Sequence, residues 1–184
     1  MATTRWDFDF THSNIDFSVR HLLVSKVRGR FNKWNGTLLI DEADLPASSV
    51  EVQIDAASVD TSEPKRDEHL RSADFFDVEK YPHLTFKSTR VEKNGDDHLR
   101  VTGDLTLHGV TRPVVLDVER GGSVRDPWGL QRTGFTVTGT LDRKEFGITF
   151  NQALDHGGLA LGEKVSISID VEATSAAAAQ AQAA

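Results

Sequence analysis

Val165-Ser166-Ile167-Ser168-Ile169-Asp170-Val171 decides the fold. Apolar and polar residues alternate there without a break, as they do in a strand with one face buried and the other in water. The same period of two runs back through the chain. It places Ile15, Phe17 and Val19, Leu105 and Leu107, and Phe135 and Val137 at odd positions. At even positions it places Trp6, Phe8 and Phe10, Val50, Val52 and Ile54, Leu84 and Phe86, Val114, Leu116 and Val118, and Phe146, Ile148 and Phe150. Turn residues separate the runs: Leu45-Pro46, Asn94-Gly95, Gly109 to Pro113, Asp126 to Gly129, Asp142 to Glu145, and Asp155 to Gly158. Runs joined by such turns pair as antiparallel hairpins. Between Val27 and Ile40, Asn35-Gly36 reads as a bulge that bends one strand around a barrel corner rather than as a hairpin turn. The chain is all-β, a single antiparallel barrel or sandwich.

A chain of 184 residues accommodates one such domain, over residues 1–173, with a sizeable core. The remainder, 174–184, is an Ala/Gln low-complexity tail without apolar periodicity and is expected to be disordered. The formal charge of −7 argues against a nucleic-acid groove or an anionic membrane surface, since either needs a clustered basic face. No stretch is apolar for long enough to suggest stable membrane insertion. With no cysteine there is neither a disulfide nor a thiolate metal site, which suits a reducing compartment. The N-terminal MATTRWDFDF carries no secretory apolar region, so the expected location is the cytoplasm.

The alternation fails at length only in Ser62–Pro82, SEPKRDEHLRSADFFDVEKYP. Thr61 or Ser62 can cap a short helix that tolerates Pro64 in its first turn, Leu70 and Ala73 share a face, and Pro82 ends the excursion. The adjacent Phe75 and Phe76 need an apolar surface, and the barrel rim is the nearest one. A plug that completes the core and a lid over a cavity both satisfy that need.

Four stretches carry a resemblance: His12–His21 (HSNIDFSVRH), Arg66–Phe86 (RDEHLRSADFFDVEKYPHLTF), Thr102–Leu116 (TGDLTLHGVTRPVVL) and Asp142–Phe150 (DRKEFGITF). Together, and in this order, they resemble the YceI-like family of polyisoprenoid-binding proteins. The resemblance implies a lipocalin-like, extended eight-stranded antiparallel barrel with a short helical segment near its opening. It also implies an apolar lumen holding an isoprenoid-like amphiphilic lipid, such as a polyisoprenoid or an isoprenoid quinone.

On that expectation the lumen is lined by Phe17, Val19, His21, Phe31, Leu70, Phe75, Phe76, Phe86, Leu105, Leu107, Phe135, Phe146 and Ile148. Lys65, Arg66, His69 and Arg71 form the densest cationic cluster beside the mouth, where a phosphate or quinone oxygen can meet it. The alternative for Arg66 is a pair with Asp67 or Asp74 that only anchors the helix. The histidines show no H-x-H, H-x-x-x-H or H-E-x-x-H spacing, so no metal and no cofactor are expected. No G-x-S-x-G elbow is present, and Ser13 and His12 point to opposite strand faces, so the expected role is binding, sequestration or transport rather than catalysis. Two rivals are a fatty acid or fatty amide in the same lumen and an enzyme acting on a lipid. A third is a solid β-domain without a cavity. Exposed strand edges would suit a homodimer.

Overall fold

The computed structural model describes residues 2–155 and 158–183. Its strands are β1 (Thr4–Phe8), β2 (Asn14–His21), β3 (Ser25–Phe31), β4 (Trp34–Ile40), β5 (Ser49–Asp55), β6 (Val59–Asp60), β7 (His83–Lys93), β8 (His98–Leu107), β9 (Val110–Arg125), β10 (Gln131–Asp142) and β11 (Leu161–Ser175). The helices are α1 (Pro64–Arg71) and α2 (Ala176–Ala183). The strands pair in the order β1-β4-β5-β7-β8-β9-β10-β11-β2-β3-β6, every pair antiparallel, and β1 also pairs β11 to close the ring. Two pairs of labels are halves of single strands. Along β11, Asp170 faces Asn14 of β2 and Ala173 faces Phe8 of β1, and β3 and β4 are separated only by Asn32 and Lys33. The result is a closed eight-stranded antiparallel barrel with a short helix, the fold that the family resemblance implies and one of the two that strand alternation allows. Closure consumes most of the free edges a homodimer would use, leaving the short β6 as the sheet's last strand.

Several turns fall elsewhere than the sequence suggests. Asn35 and Gly36 lie inside β4, facing Gln53 and Val52, and the interruption is at Asn32-Lys33 instead. The turn expected at Gly109 to Pro113 is tighter: His108 and Gly109 take it, with φ of 56° and 72°, and β9 begins at Val110. Pro113 sits within β9 opposite Asp104, in a stretch that has no β10 partner because that pairing begins at Asp117. Its missing N–H therefore costs the sheet nothing on the open side. Asp142 to Glu145 joins no hairpin; it opens a single 3-10 turn, Arg143–Phe146. The turn expected at Asp155 to Gly158 includes His156 and Gly157, which lie outside the described residues.

β11 continues to Ser175, whose hydroxyl donates to the Arg5 carbonyl at 2.9 Å and accepts from the Ala178 N–H at 3.3 Å, capping α2. Ala178 and Ala179 are buried, and Ala178 packs with Trp6, Ile40 and Ala173. Alanine is the best helix former, and its small side chain lets the helix sit close against an indole. Trp6 shares a strand face with Phe8, which lines the interior, so this cluster closes one end of the barrel. No helix among the described residues is long and apolar enough to cross a membrane.

Candidate functional site

The barrel is hollow. A cavity of about 560 Å³ occupies its axis, walled almost wholly by apolar side chains. Two glycines help to keep it open. A Cβ on Gly29 would lie 2.5 Å from Cζ of Phe17, and one on Gly103 would overlap the Phe86 ring. Each phenylalanine thus lies along the wall over a glycine of a neighbouring strand instead of reaching across the lumen.

Alternation carries the inward residues to the wall as expected. Phe17, Val19 and His21 of β2, Phe31 of β3, Phe86 of β7, Leu105 and Leu107 of β8, and Phe135 of β10 all line it, and Ile148 joins them from the loop after β10. Leu70, Phe75 and Phe76 line it from α1 and the turn behind it, with Phe76 edge-on to Phe31 at 5.6 Å. Phe146 does not. It is fully buried in the packed core and lies off the cavity wall, because the 3-10 turn that ends at Phe146 takes it out of strand alternation.

Local hydrogen bonds set the helix beside the opening. Glu63 is the N-cap, accepting from the Lys65 N–H at 3.2 Å, and Pro64 takes the first helical position, so neither Thr61 nor Ser62 caps. Thr61 is held instead by the buried Asp67, whose Oδ1 accepts from its N–H at 2.8 Å and its hydroxyl at 2.5 Å. Arg66 donates to the Thr61 hydroxyl and carbonyl, each at 2.8 Å, and forms no ion pair with Asp67 or Asp74 among the described residues. His69 pairs with Asp74 at 2.8 Å. Arg66 and His69 both reach the cavity wall. Arg71 does not: it donates to the carbonyls of Ala57 at 2.9 Å and Val59 at 3.2 Å, which makes it an anchor of the helix rather than a group at the mouth.

All the exposed wall residues but Ser49 gather at one opening. They are His21, Arg66, His69, Phe150 and Gln152, on the end of β2, on α1 and on the loop before β11. His69, Phe75 and Phe150 stack edge to face around it, with centroids 4.9 to 5.2 Å apart. Below this rim lies a residue that sequence reading missed. Arg143 is 4% exposed and lines the cavity, donating to the carbonyls of Gly162 and Phe150 at 2.8 Å and of Ile148 at 2.9 Å. It has no carboxylate partner among the described residues, and burial pulls its pKa down. No local motif announces this role, because the carbonyls it gathers come from separated positions. The inward series Val165, Ile167, Ile169 and Val171 also lines the wall, and its alternation did announce it.

Outside the barrel, Asp9, His12 and Glu172 bring three potential metal-binding atoms within 4.8 Å of one another, through barrel closure rather than spacing. Arg132 lies among them, 2.8 Å from both Asp9 and Glu172 and 3.0 Å from Asp126, so a guanidinium supplies the positive charge. These carboxylates hold its pKa well above the ordinary arginine value, Glu172 most strongly. The hydrogen bond to Asp9 raises the pKa of His12, and its counterpart lowers that of Asp9.

The family model of the YceI-like domain matches residues 6–173. The chain belongs to the YceI-like family. It is similar to a UPF0312 protein of Vibrio cholerae, 50% identical over 137 residues that cover 74% of this chain and 72% of the relative. A UPF0312 protein of Pectobacterium atrosepticum is 47% identical over 148 residues, covering 80% and 77%. Among solved structures, a Campylobacter jejuni YCEI protein superposes with a TM-score of 0.73 at 33% identity, covering 84% of this chain and 88% of that one. Burkholderia cenocepacia BcnA superposes with a TM-score of 0.80 at 22% identity, covering 90% and 99%. A polyisoprenoid binding domain from Saccharophagus degradans does so with a TM-score of 0.65 at 16% identity, covering 94% and 99%. The last two show the YceI-like barrel alone.

Proposed function

We propose that this YceI-like barrel binds an isoprenoid-like amphiphile, a polyisoprenoid or an isoprenoid quinone, and sequesters or carries it without chemical change. The observation that carries the reading is the axial cavity of about 560 Å³, walled mostly by apolar side chains, with Arg66, His69 and Gln152 at the rim, Arg143 below it and Ser48 and Ser49 at the start of β5. Such a volume falls within the roughly 300–1,000 Å³ of small-molecule sites. An apolar tail gains about 0.8 kcal/mol per buried CH2, roughly 3–4 kcal/mol gross for each five-carbon unit, before the cost of ordering the chain. A tail that fills the lumen supplies the affinity, and the rim selects the head group. The polyisoprenoid binding domain of Saccharophagus degradans, which shares the barrel, supports the choice of ligand class. Against catalysis stands the wall chemistry. Its histidines are His21 and His69, the His69 ring is engaged by Asp74, and no serine or threonine hydroxyl bonds a histidine ring among the described residues.

The test is titration of the delipidated protein with a polyprenol, an isoprenoid quinone, a fatty amide and a fatty acid, read by thermal melting and by mass spectrometry of the complex. A ligand that binds only the native barrel raises Tm with occupancy. The isoprenoids are expected to give the largest shift. An unchanged Tm with every one of them overturns the reading, and a preference for the straight-chain lipids reassigns the ligand class.

A further inference from the structure

From Phe17 to Ile40 the chain contains no aspartate or glutamate but carries Arg20, Lys26, Arg28, Arg30 and Lys33, in a protein whose formal charge is −7. Net charge conceals a basic face that the fold then gathers. In the β2–β3 hairpin, Arg20 faces Lys26 and Ser18 faces Arg28 across the strands, on the outward side opposite Val19, His21 and Val27 of the cavity wall. Like charges directly opposed across a sheet are unfavourable. Arg30 is 3.7 Å from Asp16, but Arg20, Lys26 and Arg28 have no ion pair among the described residues. Glu163, next to the Gly162 that packs on Arg20, is taken by Lys144 at 2.6 Å.

The tip of this hairpin is apolar and exposed. Leu22, Leu23 and Val24 are 41%, 71% and 82% exposed. Both leucines hold a left-handed backbone, with φ of 53° and 60°, where asparagine or glycine would sit far more easily. Turn stability and burial therefore give no reason for leucine here. The tip stands at the cavity's opening: His21 lines the wall, and the Leu22 N–H donates to the carbonyl of Ala160, another wall residue, at 2.8 Å. Phe150 and Leu159, 39% and 41% exposed, lie on the loop that reaches this point.

We propose that the Leu22-Leu23-Val24 tip, with Arg20, Lys26 and Arg28 behind it, docks on an anionic lipid bilayer and brings the cavity mouth to the interface from which the amphiphile is drawn. The proposal rests on the lipid-binding reading above for its purpose, but not for its geometry. An apolar point backed by unpaired cations matches the layered chemistry of an anionic membrane surface, acyl chains below and phosphates above. Docking of this kind is peripheral and reversible.

Flotation of the purified protein with vesicles tests it, comparing phosphatidylcholine alone with an equal mixture of phosphatidylcholine and phosphatidylglycerol. The wild type is expected to partition onto the mixed vesicles and to be released by salt. Leu22→Asn with Leu23→Gly gives the turn the residues its backbone favours, so Tm should hold or rise while partitioning falls roughly 10-fold or more. Arg20→Gln, Lys26→Gln and Arg28→Gln together should weaken binding to the mixed vesicles on the order of 100-fold, about fivefold per cation, with little effect on phosphatidylcholine. Wild type that ignores the mixed vesicles, or a Leu22→Asn, Leu23→Gly protein that binds them as wild type does, overturns the proposal and points to a protein partner for the tip. A dansyl-labelled polyprenol, titrated without vesicles, separates the two readings. Polyprenol binding without vesicle binding sinks the docking alone, and tip-dependent vesicle binding without polyprenol binding sinks the cavity reading alone.

Discussion

Phe17 lies with the end of its ring over Gly29 on the adjacent strand, so close that a methyl group there would meet Cζ at 2.5 Å. The other close atoms are Cε1 of the same ring and the Thr61 methyl, so the ring, not backbone, must give way. Its free direction is the lumen.

The first prediction follows directly. Gly29→Ala should turn Phe17 into the cavity and lower affinity for long isoprenoids more than for short ones, while Tm of the ligand-free protein changes little. Chain-length series of polyprenols measured on both proteins provide the check. Equal affinities across the series would show that Phe17 does not bound the occupied volume.

A second prediction divides the roles around α1. Phe76→Ala removes apolar contact from any guest, so affinity for a matched polyprenol and polyprenyl phosphate should fall together, by roughly 1–3 kcal/mol. Arg66→Gln should weaken the phosphate alone, because Arg66 reaches the wall without a carboxylate partner among the described residues. Arg71→Gln should leave the ratio of the two affinities unmoved and lower Tm, since it removes donors from the Ala57 and Val59 carbonyls. A ratio that responds to Arg71 and not to Arg66 would reverse the assignment.

These roles show which parts of the molecule can be read in the sequence. Strand alternation fixes the inward face whatever the partner strands are, so Phe17, Phe86 and Leu105 were legible before any pairing was known. Arg71 is close to Arg66 and His69 in sequence but not in the folded site. Helix geometry already argues against grouping it with Arg66, since five positions at about 100° each put the two roughly 140° apart around the axis. Arg143 was illegible for a different reason: its function consists of carbonyls from Ile148, Phe150 and Gly162, which only the folded loop assembles. The docked α2 was hidden because alanine contributes no apolar period, and only Trp6 at the barrel end gives it a place to pack.

The third prediction concerns pH. Asp9 raises the pKa of His12 above 6.5, so this contribution to stability is complete below the unfolded value and is lost as pH rises through the raised one. Asp9, whose pKa His12 and Arg132 lower below 3.8, contributes above the unfolded value and loses its part as pH falls through the lowered one. The bend between β1 and β2 is therefore pinned best in mildly acidic solution, between those limits. His12→Asn should lower Tm at about pH 5.5 and have no effect near pH 8.5. An equal effect at both would assign the loss to packing rather than charge.

The last prediction returns to the buried guanidinium. Arg143 donates to the Ile148 and Phe150 carbonyls and also holds that of Gly162, so one side chain ties the loop after β10 to the start of β11. A methionine there fills similar volume but strands buried acceptors, at about 1–3 kcal/mol for each that stays dry. Arg143→Met should therefore cost roughly 2–5 kcal/mol, visible as a lower denaturation midpoint. Arg143→Lys keeps the charge but cannot span three carbonyls with a planar fork, and should recover only part of the loss. Beyond global stability, the loop itself should loosen: amide exchange of Ala160 and Leu161, whose N–H groups bond the Gln152 carbonyl and the Asn151 side chain, is expected to rise in both variants while β8 and β9 stay protected. Phe150 would then leave its place against His69 and Phe75, and isoprenoid affinity should fall with it. If the midpoint drops while exchange in the loop and ligand affinity stay at wild-type values, Arg143 serves the core alone and the rim is held by something else.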